Sequence, residues 1–199
     1  MEEAAELATL ARRLRAYREL LQGAYAFFSF GMVIAGAFLV AAASATLLSL
    51  RGPALALLYV ASIGGSAAAA SIVMGRVFGD GVLSGRDAAI GAGVFASFYA
   101  LIYALSITSP HLASLAPVAW FPGLGLYFVV LYALELRRGD PGAAVMRNTG
   151  LAILGLSPPV LIASFRSPGA AAALALGLVL LIYHCVGTYL MYRANRMFE

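Results

Sequence analysis

The chain contains no lysine, and all 13 of its basic residues are arginines. It has one cysteine, Cys185, and three side-chain amides, Gln22, Asn148 and Asn195. A single thiol forms no intramolecular disulfide. Without a second ligand at metal-binding spacing it also excludes a zinc site. Thermolabile side chains are scarce in this way in thermophile proteins, and a GC-rich codon bias would likewise favour Arg and Ala over Lys and Asn. A thermophilic source is the expectation.

Charge is the second scarcity. Only 11% of residues are charged, against about 25% in soluble domains. Hydrophobic residues make up 62% and the mean hydropathy is +0.91. So few polar groups cannot cover so apolar a core in water, and the sequence predicts an integral membrane protein. The formal net charge of +4 would raise nucleic-acid binding for a soluble protein. Here the arginines fall at the ends of apolar runs, the pattern of membrane orientation rather than of a nucleic-acid face. The opening MEEAAELATLARRLRAYRELLQG, acidic and then basic, lacks the positive start and short apolar stretch of a cleavable signal peptide.

Apolar segments occupy about 24–50, 53–78, 88–107, 113–136, 149–165 and 168–191, and a spanning helix needs about 20 such residues. The expected fold is an all-α integral membrane protein of six transmembrane helices preceded by an amphipathic N-terminal helix. Its parts are residues 1–23 (the amphipathic helix), 24–192 (the six-helix domain) and 193–199 (a cytoplasmic tail). Arginines resist translocation. With the N-terminus inside, Arg12, Arg13, Arg15, Arg18, Arg76, Arg86, Arg137, Arg138, Arg147, Arg193 and Arg196 are cytoplasmic, and only Arg51 and Arg166 lie outside. Both termini are therefore placed in the cytoplasm of a multi-pass cell-membrane protein.

The loop GRVFGDGVLSGRD, 75–87, then joins the second and third spans on the inner face. RRGDPGAAVMRN, 137–148, echoes it: the arginine stands five residues after Gly81 in one and after Gly142 in the other. Either the two loops are ordinary inner turns, or hairpins of like orientation repeat, as in transporters with the substrate between repeats. The functional form assigns Arg76, Asp80, Arg86, Asp140 and Arg147 to a cytoplasmic partner or lipid headgroups. The first loop resembles motif A of the major facilitator superfamily, a Gly–Asp–Gly–Arg loop between spans two and three. It departs from that motif in placing four residues between Gly81 and Arg86.

Ionisable residues deep in a span are costly and mark function. Glu135, at an inner helix end beside Arg137 and Arg138, is expected to snorkel or pair locally. The scarcity of other intramembrane carboxylates argues against an ion-coupled pump. His184 lies about 12 Å inside the last span, with Thr188 at i+4 as its expected hydrogen-bond partner. His111 falls in an outer loop, so the two histidines cannot share a haem. No nucleophile–base pair, phosphate loop or metal cluster is apparent, and the chain is not expected to be an enzyme or to carry a cofactor.

Small residues are abundant. Ser62 and Ser66 flank Gly64 and Gly65, and Gly169, Ala173 and Gly177 form a four-residue seam of the kind that lets membrane helices approach closely. Packing within one subunit is the default for that seam. Two spans look interrupted, at Trp120-Phe121-Pro122-Gly123 and at Ser157-Pro158-Pro159. Interrupted spans point to binding sites, though a plain proline kink is the simpler account. The candidate ligand site is Tyr99, Tyr103, Trp120, Pro122, Ser157, Pro158 and His184, suited to a neutral or apolar solute. At the N-terminus Leu7, Leu10, Leu14, Tyr17 and Leu21 make one apolar stripe among arginines. It is read as an interfacial helix on anionic lipid, with docking on a partner helix as the alternative.

Two functions fit these features. One is a small transporter or membrane (permease or substrate-binding) subunit, energised by a partner such as an ATPase. The other is a non-transporting scaffold that assembles, with itself or with others, through small-residue seams and inner loops.

Overall fold

A computed structural model describes residues 2–49, 85–136 and 143–197, with isolated positions at 58, 61, 62, 65, 72 and 76. Among these residues the chain is all helical. The elements are α1 (Glu2–Leu47), α2 (Gly85–Thr108), a 3-10 helix (Pro110–Val118), α3 (Trp120–Leu136), α4 (Ala143–Arg166) and α5 (Pro168–Asn195). Three helical stretches are long and apolar enough to cross a membrane: Glu6–Ser44, Ala143–Arg166 and Pro168–Asn195. Shorter apolar stretches are Gly93–Ile102 and Trp120–Leu136. The expected span 53–78 lies outside the described residues except at the isolated positions.

The chain forms two compact units, Met1–Val82 with Tyr183–Glu199, and Leu83–Ile182.

In the first unit, α1 carries no proline and is rich in Ala, Leu, Arg and Glu, all strong helix formers. It runs 46 residues without interruption, so the expected boundary at residue 23 is not a break in the helix. It ends where Ser49 turns to φ 51°, a left-handed termination usually left to glycine. The last turns of α5 pack antiparallel on its middle. Phe27 meets Tyr183 edge to face with ring centroids 5.3 Å apart. Phe28 lies 5.4 Å from the His184 ring. Tyr183, Gly187, Leu190 and Ala194 are the buried face of α5 here, a 4-3-4 spacing that places them on one side of a helix.

Gly187 is needed for that approach, because a Cβ there would stand 2.8 Å from the Phe28 ring. Gly187→Ala is expected to push the ring aside and cost about 1–3 kcal/mol, in the range of other overpacked sites. Unfolding in detergent checks this. Unchanged stability would mean that the two helices part freely.

In the second unit, α2 ends at Thr108, whose Oγ1 donates to the carbonyls of Ala104 and Leu105 at 3.2 and 3.1 Å. Ser109 is extended, the conformation that a following proline favours. On α4 the buried positions Thr149, Gly150, Ile153, Ser157, Val160 and Ser164 recur with helical period. Thr149, Ser157 and Ser164 donate their hydroxyls to the carbonyls of Val145, Ile153 and Leu161 at 2.7–2.8 Å. These three buried hydroxyls are thus satisfied without crossing to another helix. Ser167 breaks the chain between α4 and α5, and its Oγ accepts from the Ala170 N–H at 3.4 Å, an N-cap arrangement.

Candidate functional site

Three prolines shape the start of α3. Pro110 opens the 3-10 helix and Pro117 lies near its end, so regular α-helical bonding cannot pass through this stretch. Pro122 is the third residue of α3, in the turn whose N–H groups have no intrahelical acceptor in any case. The expected span 113–136, interrupted at Trp120-Phe121-Pro122-Gly123, is not one α-helix. It is a 3-10 helix followed by a 17-residue α-helix, and Pro122 marks the start of that helix. Trp120 is half-buried, and its Nε1 donates to the Pro117 carbonyl at 3.0 Å, which ties the indole to the junction.

Glycines then bring three helices together. A Cβ on Gly123 would lie 3.3 Å from Phe98 and 3.4 Å from Phe95 of α2. Gly125 faces Leu154 and Gly150 of α4, and Gly150 faces the Gly125 carbonyl and Val129. These pairs run in opposite chain directions, so α3 and α4 are antiparallel and the first turn of α3 comes level with Ser157.

At Ser157-Pro158-Pro159 the chain stays helical, the simpler of the two accounts. Helix α4 continues through Pro158 and Pro159. Each proline removes an N–H, so the carbonyls of Leu154 and Gly155 lose their helical donors. Ser157 is buried, whereas Pro158 and Pro159 are exposed. Trp120, Pro122 and Ser157 are thus brought to one level of the unit, while Pro158 points away from the buried face of α4. Tyr99 and Tyr103 belong to the backbone of α2, and their side chains lie outside the described residues. His184 belongs to the other unit. It is exposed and has the ring of Phe28 beside it, in place of the expected hydrogen bond to Thr188.

No protein-family model, curated protein or solved structure matches the chain.

Of the loop residues, Arg147 is exposed. Its guanidinium stands 5.7 Å from the centroid of the Tyr132 ring, and its Nε donates to Asn148 Oδ1 at 3.2 Å. Arg76 is exposed. Asp80, Asp140 and the Arg86 side chain lie outside the described residues, as does the His111 side chain. Glu135 is buried on α3, so it does not snorkel outward; Arg137 and Arg138 lie outside the described residues.

The seam of Gly169, Ala173 and Gly177 also differs from expectation. All three residues are exposed, and the two glycines have no atom within 4 Å of a built Cβ. The buried face of this part of α5 is Ala171, Ala172, Ala175, Leu176 and Val179. The close crossing of Gly125 with Gly150 was not anticipated. Its only sequence signal is a pair of glycines 25 positions apart, and nothing in the linear order says that they meet.

Proposed function

We propose that the chain is a six-span membrane protein with both termini in the cytoplasm. We further propose that it serves as a small transporter or membrane subunit for a neutral or apolar solute, energised by a partner. The observation that supports this most is the irregular backbone of one apolar stretch. The 3-10 helix of Pro110–Val118 runs into α3 beside a buried hydroxyl at the level of Trp120, Pro122 and Ser157. Non-helical backbone at membrane depth is tolerated only against protein or a wet cavity, and interrupted helices surround solutes in known transporter folds. Among the described residues the side chains at that level, Trp120, Pro122 and Ser157, carry no formal charge, which suits an uncharged solute. Anionic headgroups would meet the arginines of α1 nearest the span.

The test is ligand-dependent stabilisation of the purified protein in detergent. A bound solute at 100 times its Kd adds about 2.7 kcal/mol. A neutral solute is expected to raise the melting temperature, and Trp120→Ala is expected to remove most of that rise. A panel of neutral solutes that all leave the melting temperature unchanged would overturn the transport reading.

The scaffold reading has its own support in the open face of Gly169, Ala173 and Gly177, a small-residue seam of the kind that pairs membrane helices. Disulfide crosslinking of an Ala173→Cys variant between copies, at full yield and without any solute effect, would favour it.

A further inference from the structure

The apolar stripe of α1 does not stop where the sequence pattern suggests a change of role. Leu7, Leu14, Leu21 and Phe28 repeat every seven residues, and Leu10, Tyr17, Ala24 and Gly31 form the second line of the same seam. From Ala24 onward the seam is covered: Ala24 is 0% exposed, Gly31 is buried and Phe28 packs on Gly187 and His184. Upstream it is bare. Leu7, Leu10 and Leu14 are 61%, 49% and 51% exposed, because α5 ends at Asn195 while α1 continues.

Lipid is poorly placed to cover this strip. At 1.5 Å per residue, Leu14 stands about 15 Å and Leu7 about 25 Å beyond Ala24, where the charge-free apolar run of the sequence begins. The headgroup layer adds only about 5–8 Å to each side of the hydrocarbon core. To lie flat on the surface, α1 would have to bend sharply, which in helices takes a proline, a Gly/Ser pair or a bulge. None interrupts α1 between Leu7 and Gln22. A second copy is also a poor cover. In the heptad frame Arg13 and Arg18 flank the seam, so a parallel pair sets Arg13 of one copy against Arg18 of the other. An antiparallel pair with Leu10 opposite Leu14 brings the two copies of Arg13 together.

We propose that residues 7–14 of α1 are the docking strip for an amphipathic helix of a partner protein, one that carries leucine-like residues along its seam and acidic residues on its flanks. The partner helix would continue the seam that α5 covers further along, and its carboxylates would face the arginines that repel a second copy. This inference rests on α1 crossing the membrane, part of the reading above.

The test uses the full chain with Cys185→Ser in neutral phosphatidylcholine nanodiscs. The probe is a labelled synthetic helix of three heptads, with Leu along the seam and Glu on both flanks. A second peptide carries Lys in place of Glu. The Glu peptide is expected to bind and to weaken as salt rises, and the Lys peptide is expected not to bind. Leu10→Ser and Arg13→Glu should each weaken the Glu peptide roughly tenfold. Equal binding of both peptides, or binding of neither, would overturn the proposal. So would loss of maleimide labelling at Leu10→Cys in anionic nanodiscs without peptide, which would assign the strip to lipid. Complete Leu10→Cys crosslinking between copies would assign it to self-association. Labelling of Leu39→Cys separates the two readings. If it reacts freely, α1 does not cross the bilayer and the membrane reading fails. If it stays unreactive while the peptides fail, the docking strip alone is lost.

Discussion

Leu39→Arg and Leu181→Arg are each expected to lower membrane insertion by about 2.5–3.5 kcal/mol, the cost of an arginine at the centre of a spanning helix. That is a change of roughly one hundredfold in the inserted ratio. Leu39 is 62% exposed and Leu181 is 59% exposed; Leu39 lies near the middle of the apolar run 24–50 and Leu181 near the middle of Pro168–Asn195. In a protein surrounded by water, an arginine at such an exposed position would change stability by no more than about 0.5 kcal/mol. The exposure that makes these sites trivial in water makes them costly in lipid. The alkali-resistant fraction in the membrane pellet, compared with the parent chain, measures the difference. Leu7→Arg is the control. It is equally exposed but lies upstream of the apolar run 24–50, and it should insert like the parent. If Leu39→Arg and Leu181→Arg also behave like the parent, these helices do not meet lipid.

Gly150→Ala should be the most damaging small substitution in the unit 83–182. A Cβ there would stand 2.9 Å from the Gly125 carbonyl oxygen and 3.0 Å from the Val129 nitrogen. Both are backbone atoms, so relief requires a whole helix to shift, and the expected cost is about 3 kcal/mol, at the upper end for overpacking. Gly125→Ala differs in kind. Its nearest neighbour at 2.8 Å is the Leu154 side chain, while the Gly150 carbonyl oxygen is 3.2 Å away. Leu154→Ala should therefore restore much of the stability lost in Gly125→Ala and none of that lost in Gly150→Ala. Gly155→Ala has no atom within 4 Å and should be neutral or stabilising by up to about 1 kcal/mol, through helix propensity alone. Denaturant titrations of the five variants in one detergent order them. A Gly150→Ala protein as stable as Gly155→Ala would mean that α3 and α4 do not touch in the native protein.

Most of what was legible in the sequence depended on periodicity and composition. The helical class follows from long apolar runs without strand alternation. The limits of α2 and α5 were read to within a few residues, because Thr108-Ser109-Pro110 and Arg166-Ser167-Pro168 announce themselves chemically. The N-terminal heptads were readable for the same reason, since a helix repeats its faces on a fixed period.

Of the candidate site, the sequence showed single residues and not which of them come to one level. The sequence left two accounts of each proline open, an interrupted span or a plain kink. A proline's effect depends on whether its missing N–H was needed. At Pro122 it was not, since the residue lies in the first turn. At Pro158 and Pro159 the helix continues, and both prolines are exposed.

Apolar helices with an arginine-flanked amphipathic start follow from the linear order alone, because hydropathy and period are properties of neighbours along the chain. Which small residues are contacts became visible only in the folded chain. Gly125 and Gly150 meet, whereas Gly169 and Gly177 do not, although all four are glycines on apolar helices. Close approach depends on which faces two distant helices turn toward each other, and that rotation is set by packing over the whole interface. The structure also joined the amphipathic start to the first apolar segment as one helix, because no residue between them interrupts its hydrogen bonds. It thereby left Leu7, Leu10 and Leu14 beyond the end of the helix that covers the rest of their seam.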